Sequence, residues 1–387
     1  MNSFIARFAP SPTGNLHLGG IRTALINYII IQQYKKKYPN SKLLLRIEDT
    51  DKRRSKDEFK TNIIEGLKWL GLNFDDDAYI QSEKIFRHKD VANDLLKKNK
   101  AFKCICTTEI LDIKRNTNLK NKKSIKRLCE TCESDPIVQN LKSNFAIRIK
   151  IPENDGVAID DVVQGKLSIQ NKEIDNFIIL RKDGTPTYML SVVVDDYDMG
   201  VNLIIRGDDH LNNAFRQIFI YKNMNWPIPE YCHIPLIHGE DGKKLSKRHG
   251  AVDIIDLKKQ GYLKESVINN LILLGWSPKT NSEIVEIDNI IKLFDIKKIN
   301  KSSSIFSYKK LNFFNNKYLI DDNNYIKLIN FTNKNQNLKN YITTNKEKYL
   351  RIFNIYKKNL SFYKELEEIC FVYYQEDYVS KKNNLFE

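Results

Sequence analysis

Hydrophobic positions along the first hundred residues switch between two periods. FIARFAP near the start reads as a strand, and GIRTALINYIIIQQYKKKY, after a glycine-bearing turn, carries apolar residues at helical spacing. LLLRIEDT gives a second strand, and EFKTNIIEGLKWLGL a second helix. YIQSE is short and extended, and IFRHKDVANDLLKKNK is again helical. This strand–helix rhythm predicts an α/β fold with a parallel, doubly wound, Rossmann-like sheet. Residues 101–175 break it with cysteine pairs, a lysine-rich polar stretch and short alternating strands such as FAIRIKI and KLSIQ, the mark of an insertion. The rhythm resumes with FIILRK, the turn Asp183-Gly184-Thr185-Pro186 and the helix TYMLSVVVDDYDMG. NLIIRG, NNAFRQIFIYKNMNW and CHIPLI follow as strand, helix and strand, so the sheet is expected to end near residue 240.

From about residue 251 the signals are helical, ESVINNLILLGW being the clearest, and after 300 the chain turns Asn- and Lys-rich. The expected units are therefore 1–100 and 176–250 as two halves of the sheet domain, with 101–175 inserted between them. Residues 251–315 form a helical unit, and 316–387 a reduced helical region.

Composition sharpens the picture. A chain of 387 residues exceeds one compact core, and 41% hydrophobic with 11% aromatic residues describes a folded protein. The net charge of +15 suits a polyanionic partner. General over-use of lysine would give the same charge with no partner at all. The excess is concentrated in residues 100–128 and 301–387, however. No signal-like start and no run of about 18 apolar residues is present, so no membrane role and a cytoplasmic setting are expected. Of six cysteines, Cys104, Cys106, Cys129 and Cys132 cluster at metal-ligand spacing while Cys232 and Cys370 stand alone. That usage fits a reducing compartment rather than a disulfide framework.

Neither the dinucleotide fingerprint GxGxxG nor the P-loop follows the first strand, which disfavours a nicotinamide dehydrogenase. Instead the strand runs into PSPTGNLHLGG. There His17 precedes Gly19 and Gly20 at a helix start, where glycines admit a nucleotide and a histidine reaches phosphate. After the last strand, GKKLSKRHG is a glycine-bounded basic loop. Lysines such as Lys244 and Lys247 suit the negative charge that builds when an acyl group is transferred to the α-phosphate of ATP. A tight turn and a solvated basic loop are the bland alternatives.

Taken together, His17-Leu18-Gly19-Gly20 and Lys244-Leu245-Ser246-Lys247-Arg248 resemble the two signatures of class I aminoacyl-tRNA synthetases. ARFAPSPTG, LLLRIEDTD, DGTPTYMLSVVVDDYDMG, IIRGDDH and HIPLIHGEDGKKLSKRHGA narrow the likeness to bacterial-type glutamyl-tRNA synthetases, strongly over roughly residues 4–275. The resemblance implies ATP-dependent ligation of L-glutamate to the 3′ end of tRNA(Glu), through a glutamyl adenylate, by a monomer. It also implies that 251–315 is a helical domain contacting the tRNA stem and 316–387 a reduced anticodon-binding region. Glutamate would lie among Arg7, Ala9, Ser11, Glu48, Tyr188 and Arg206. Chemistry agrees: guanidinium groups at strand ends can grip a carboxylate bidentately, and Glu48 suits an α-ammonium. His17, Gly19, Gly20, Leu236, Lys244 and Lys247 would hold ATP, whose Mg²⁺ is carried mainly by phosphates and water. His17, Lys244 and Lys247 would be catalytic.

The spacing of Cys104, Cys106, Cys129 and Cys132 suits a structural Zn²⁺, and the family resemblance places a zinc ribbon in this insertion beside the tRNA acceptor end. Basic residues on the intervening loop would meet tRNA phosphates. Two rivals remain open: glutamyl transfer to a modified base of a tRNA, and a catalytically dead tRNA-binding relative.

Overall fold

A computed structural model describes residues 3–122, 124–243, 245, 253–280, 282–320, 331 and 336–383, without the side chains of 376–383. Its frame is a seven-stranded sheet. β1 (Ile5–Phe8) and β2 (Lys42–Ile47) are almost entirely buried, as strands covered on both faces must be. Between them runs α1 (Leu18–Lys37), buried on most of its circumference and ending in Lys35, Lys36 and Lys37, which complement the helix dipole. Next come α2 (Asp57–Trp69), β3 (Tyr79–Ile80) and α3 (Ile85–Lys97).

The inserted region contributes β4 (Ala101–Cys104), α4 (Thr108–Lys120), α5 (Glu130–Ser134), α6 (Pro136–Asn140), β5 (Ala146–Ile149), β6 (Gly156–Asp161) and β7 (Gly165–Gln170). After β8 (Ile178–Leu180) follow α7 (Tyr188–Asp198), β9 (Leu203–Gly207), α8 (Leu211–Met224), β10 (Glu230–Ile234) and β11 (Ile237–His238). The large sheet has the order β3-β2-β1-β9-β10-β6-β7, all parallel except the β6–β7 hairpin. β1 thus stands between β2 and β9, the place where chain order reverses and a crevice opens at the carboxyl ends.

Two strands find other neighbours than the sequence suggests. FIILRK supplies β8, which pairs antiparallel with β5 in a small sheet β4-β5-β8 rather than resuming the parallel one. KLSIQ supplies β7, whose partner β6 joins β10 and extends the parallel sheet's edge. Alternation fixes which face of a strand is buried, and β6 shows it cleanly, but it leaves the neighbouring strand undetermined.

Beyond β11 lie α9 (Ile254–Gln260), α10 (Lys264–Ile272), α11 (Ile287–Leu293), β12 (Ser304–Ile305) and α12 (Tyr308–Leu319). They share the core of α1. Arg22, buried inside α1, donates to the carbonyls of Pro235 (2.7 Å) and Leu274 (2.6 Å) and so bolts this helical unit to the end of β10. Burial pulls the Arg22 guanidinium down to about 10, still charged at neutral pH. The Asn/Lys-rich tail, hard to place from sequence, packs α13 (Gln336–Thr344), α14 (Lys346–Tyr356) and α15 (Tyr363–Asn383) around Leu338, Ile342, Ile352, Phe353 and Leu366.

Gly261 joins these layers. Its φ of +85° is left-handed, and a Cβ there would stand 2.6 Å from Cβ of Tyr363. Gly242 has φ +74° but open space around it. Gly261→Ala is therefore expected to cost more than the about 1–2 kcal/mol of the left-handed backbone alone, and Gly242→Ala no more than that. Urea unfolding of the two variants checks the difference.

Candidate active site

A cleft of ≈ 520 Å³ opens at the carboxyl ends of β1, β2, β9 and β10. The polar side of the cleft brings together Arg7 and Ala9 of β1 and its exit, Ser11, Glu48 after β2, Tyr188 opening α7, and Arg206 near the end of β9. The opposite wall holds His17, Gly19 and Gly20 at the start of α1, and Leu236 after β10. Every candidate residue for glutamate and ATP that the structure describes lines this one cleft. Lys244 and Lys247 lie outside the described residues.

Beneath the polar side is an ion network with almost no access to water. Arg7 donates Nε and Nη2 to Asp196 (2.9 and 3.3 Å). Arg46, fully buried, donates Nη1 to Asp196 (2.5 Å) and Nε and Nη2 to Glu48 Oε1 (3.3 and 3.1 Å). Asp195, the next residue of α7, accepts from Gln81 (2.6 Å) and Tyr79 (3.1 Å) and meets His88 Nε2 at 2.7 Å. Burial pushes the Asp196 carboxyl up, but Arg46 and Arg7 outweigh it and hold it below the usual range. Burial dominates at Glu48 and raises its carboxyl despite Arg46 and Arg7. Glu48 Oε2 takes no part in the pair with Arg46, which leaves it for a cation in the cleft.

Both guanidinium groups already make internal contacts through Nε and Nη2. The Nε–Nη2 edge of Arg7 is committed to Asp196. Arg206 gives Nε to His233 Nε2 (3.1 Å) and Nη2 to the His210 carbonyl (3.3 Å), while its buried Nη1 has no hydrogen-bond partner. Each arginine thus keeps Nη1 outside its internal contacts, and a carboxylate would take one N–H from each. Tyr188 leans on the same corner through its hydroxyl to His210 Nδ1 (3.2 Å), and burial raises its phenol.

On the other wall, His17 caps α1: its Nδ1 accepts from the Gly20 backbone N–H at 3.2 Å. A Cβ at Gly19 would stand 3.1 Å from that nitrogen, and one at Gly20 2.9 Å from Leu16. The glycine pair therefore makes room for the histidine ring over the first turn, with the N–H groups of the helix start beside it. The basic loop leaves β11 through a tight turn in which Gly239 N donates to Lys243 O (2.9 Å) and Leu245 N to Ile237 O (3.0 Å). Leu245 is buried and lines the cleft. The chain is described again from Asp253, whose backbone bridges to His17 and whose carboxylate accepts from Asn15. The described residues on either side of 246–252, Leu245 and Asp253, thus both meet the cleft or its lining.

Sequence reasoning missed the supports. Arg46, Asp195, Asp196, Asp161 and His233 did not figure among the candidate residues. The signal was there: two consecutive carboxylates in the apolar run VVVDDYD are costly unless buried partners meet them.

In the inserted unit the sulfurs of Cys104, Cys106 and Cys132 lie within 4.8 Å of one another, with Cys106 and Cys132 3.5 Å apart. Cys129 shares their small core. Its hydrogen bond to Cys104, with Arg148 nearby, holds the Cys104 thiol well below its ordinary value and raises that of Cys129. Three sulfurs gathered this closely, with Cys129 in the same small core, fit the ligand set of a tetrahedral metal with bonds of about 2.3 Å.

Comparison with known proteins agrees with this geometry. The model for tRNA synthetases class I (E and Q), catalytic domain, matches residues 4–313. A curated relative, glutamate–tRNA ligase 1 of Orientia tsutsugamushi, is 45% identical over 84% of this chain and 68% of its own length. Glutamate–tRNA ligase 2 of Zymomonas mobilis is 45% identical, with 82% and 65% covered, and glutamate–tRNA ligase 2 of Wolbachia pipientis 39%, with 97% and 80%. The chain spans about two thirds of the length of the first two. A crystal structure of a glutamate tRNA ligase from Elizabethkingia meningosepticum in complex with its amino acid superposes with a TM-score of 0.81 at 30% identity, covering 94% of this chain and 79% of that one. The chain belongs to the class I tRNA synthetases of the glutamate and glutamine (E and Q) group.

Proposed function

We propose that the protein ligates L-glutamate to the 3′ end of tRNA(Glu) with ATP. The observation that carries this is the cleft itself: two arginine N–H groups and a carboxylate oxygen on one wall, a helix start and a histidine on the other. In the first step a glutamate carboxylate oxygen bonds to the α-phosphorus of ATP, the bond to the bridging oxygen breaks, and pyrophosphate leaves. In the second, a ribose hydroxyl of the terminal nucleotide attacks the activated carbonyl and AMP departs with the bond's electron pair, its phosphate taking up the hydroxyl proton. No side chain becomes covalently attached. Arg7 and Arg206 hold the side-chain carboxylate, Glu48 the α-ammonium, and Ala9, Ser11 and Tyr188 close the pocket around them. His17, Gly19, Gly20 and Leu236 seat the nucleotide. Lys244 and Lys247, one residue before and two after Leu245, neutralise the triphosphate as charge builds on it. Mg²⁺ would be carried by the phosphates and water, supplying further charge neutralisation.

Cys104, Cys106, Cys129 and Cys132 hold a structural Zn²⁺ that fixes the inserted unit, whose basic residues meet tRNA phosphates. The described cysteines are free thiols, which suits the cytoplasm, and no described helix is long and apolar enough to cross a membrane. All described candidate residues lie on one chain, so a monomer suffices.

Two measurements test this reading. Glutamate-dependent ATP–pyrophosphate exchange is expected in the presence of tRNA, falling about 10²–10³-fold in Lys247→Ala, with labelled glutamate reaching intact but not 3′-trimmed tRNA. Label on the trimmed tRNA would favour the modified-base reading, and absence of exchange from protein that binds tRNA would favour the inactive relative. Second, the purified protein is expected to contain about one zinc per chain. Cys132→Ser should lose it and weaken tRNA binding while leaving ATP binding in place. Metal-free wild-type protein with full tRNA affinity would contradict the zinc assignment.

A further inference from the structure

Arg206 is held from behind by a chain of side chains crossing the sheet. A guanidinium carries no acceptor, so His233 must receive Arg206 Nε–H on an unprotonated Nε2. The ring proton is then on Nδ1, where Asp161 Oδ2 accepts it at 2.7 Å. The other oxygen of Asp161 accepts from the backbone N–H groups of Val163 (3.0 Å) and Gln164 (2.9 Å), which fixes the carboxylate in place. Asp161, His233 and Arg206 stand on the adjacent strands β6, β10 and β9, and all three are buried.

We propose that Asp161 and His233 are positioning residues for the glutamate side-chain carboxylate, setting the histidine tautomer that orients Arg206 with Nη1 left for the ligand. This rests on the reading of the cleft as a glutamate site. The logic is that of a second layer fixing a ligand-binding group: Asp161 chooses the tautomer, the tautomer supplies the acceptor, and the acceptor occupies Nε. Without it the guanidinium is held only through Nη2 on the His210 carbonyl, and the N–H aimed at substrate loses its fixed direction.

The groups that face the imidazole are Asp161 from β6, and Arg206 and Asp208 from β9 and the turn after it. Tyr231, on the same strand, stacks at 5.7 Å. Burial lowers the imidazole below its ordinary value of 6.5, and Arg206 adds to this against the opposing pull of Asp161 and Asp208. The acceptor is therefore intact at neutral pH. As pH falls through the lowered value, protonation sets Nε2–H against the N–H of Arg206, and glutamate binding weakens.

Charging kinetics on the full chain test this, with glutamate and ATP varied separately. His233→Leu is expected to raise KM for glutamate about 10- to 100-fold and leave KM for ATP unchanged. His233→Gln, whose side-chain oxygen can take the place of Nε2, should recover most of the loss. Asp161→Asn should resemble the Leu variant, because a donor facing Nδ1 flips the tautomer. In the wild type KM for glutamate should rise below pH 6.5, and in His233→Gln that rise should vanish. A rise caused by Glu48, whose carboxyl is also perturbed, would survive in the Gln variant and count against the proposal. So would an unchanged glutamate KM in His233→Leu, parallel changes for ATP, or a Gln variant as impaired as Leu. If the Leu variant fails to fold, the Gln variant and the wild-type pH profile decide. A wild-type chain that charges no glutamate would instead overturn the reading of the cleft itself.

Discussion

The site depends on one buried interaction, the sharing of Asp196 between Arg7 and Arg46. Two guanidinium groups and the carboxylates of Glu48, Asp195 and Asp196 are withdrawn from water at a cost of several kcal/mol per ion, recovered only because each charge meets a partner. That necessity locks positions. Arg7 comes from β1, Arg46 and Glu48 from β2 and its exit, Asp195 and Asp196 from α7, and His88 from α3. Residues far apart in the chain are thereby fixed relative to one another before any substrate arrives. Arg7 and Glu48 cannot swing to meet a ligand without uncovering a buried charge. Preorganisation of this kind lets a small polar molecule bind in one orientation, with its reacting carboxylate turned toward the nucleotide wall.

How much of this was legible in the sequence depended on where each residue sits. Residues at strand ends and helix starts were readable, because a parallel sheet delivers exactly those positions to its crevice. Arg7, Glu48, Arg206 and His17 were found that way, and the structure gathers them in one cleft. What was not readable is pairing. β7 and β8 were recognised as strands but given the wrong neighbours, since alternation names a face and not a neighbour. For the same reason Asp161 and His233, each unremarkable in its own segment, could not be joined until β6 was seen beside β10. The tail was opaque for a different reason: abundant Asn and Lys dilute the helical pattern around Leu338, Ile342 and Phe353.

The nucleotide side of the cleft is braced by contacts that involve no substrate. Asp253, just past the basic segment, is bridged to His17, and Leu245, within it, is buried at the cleft. Arg22 then couples the helix beginning at His17 to the end of β10 and to the helical unit through Leu274. The helical unit is thus continuous with the core beneath the nucleotide wall.

The most direct measurement is a crystal structure of the full chain with a non-hydrolysable glutamyl-adenylate analogue. The account predicts the side-chain carboxylate between Nη1 of Arg7 and Nη1 of Arg206, the ammonium on Glu48, the adenosine beside His17 and Leu236, and the Arg7–Asp196 pair intact. A ligand carboxylate that displaces Asp196 from Arg7, or one bound away from both arginines, would contradict it.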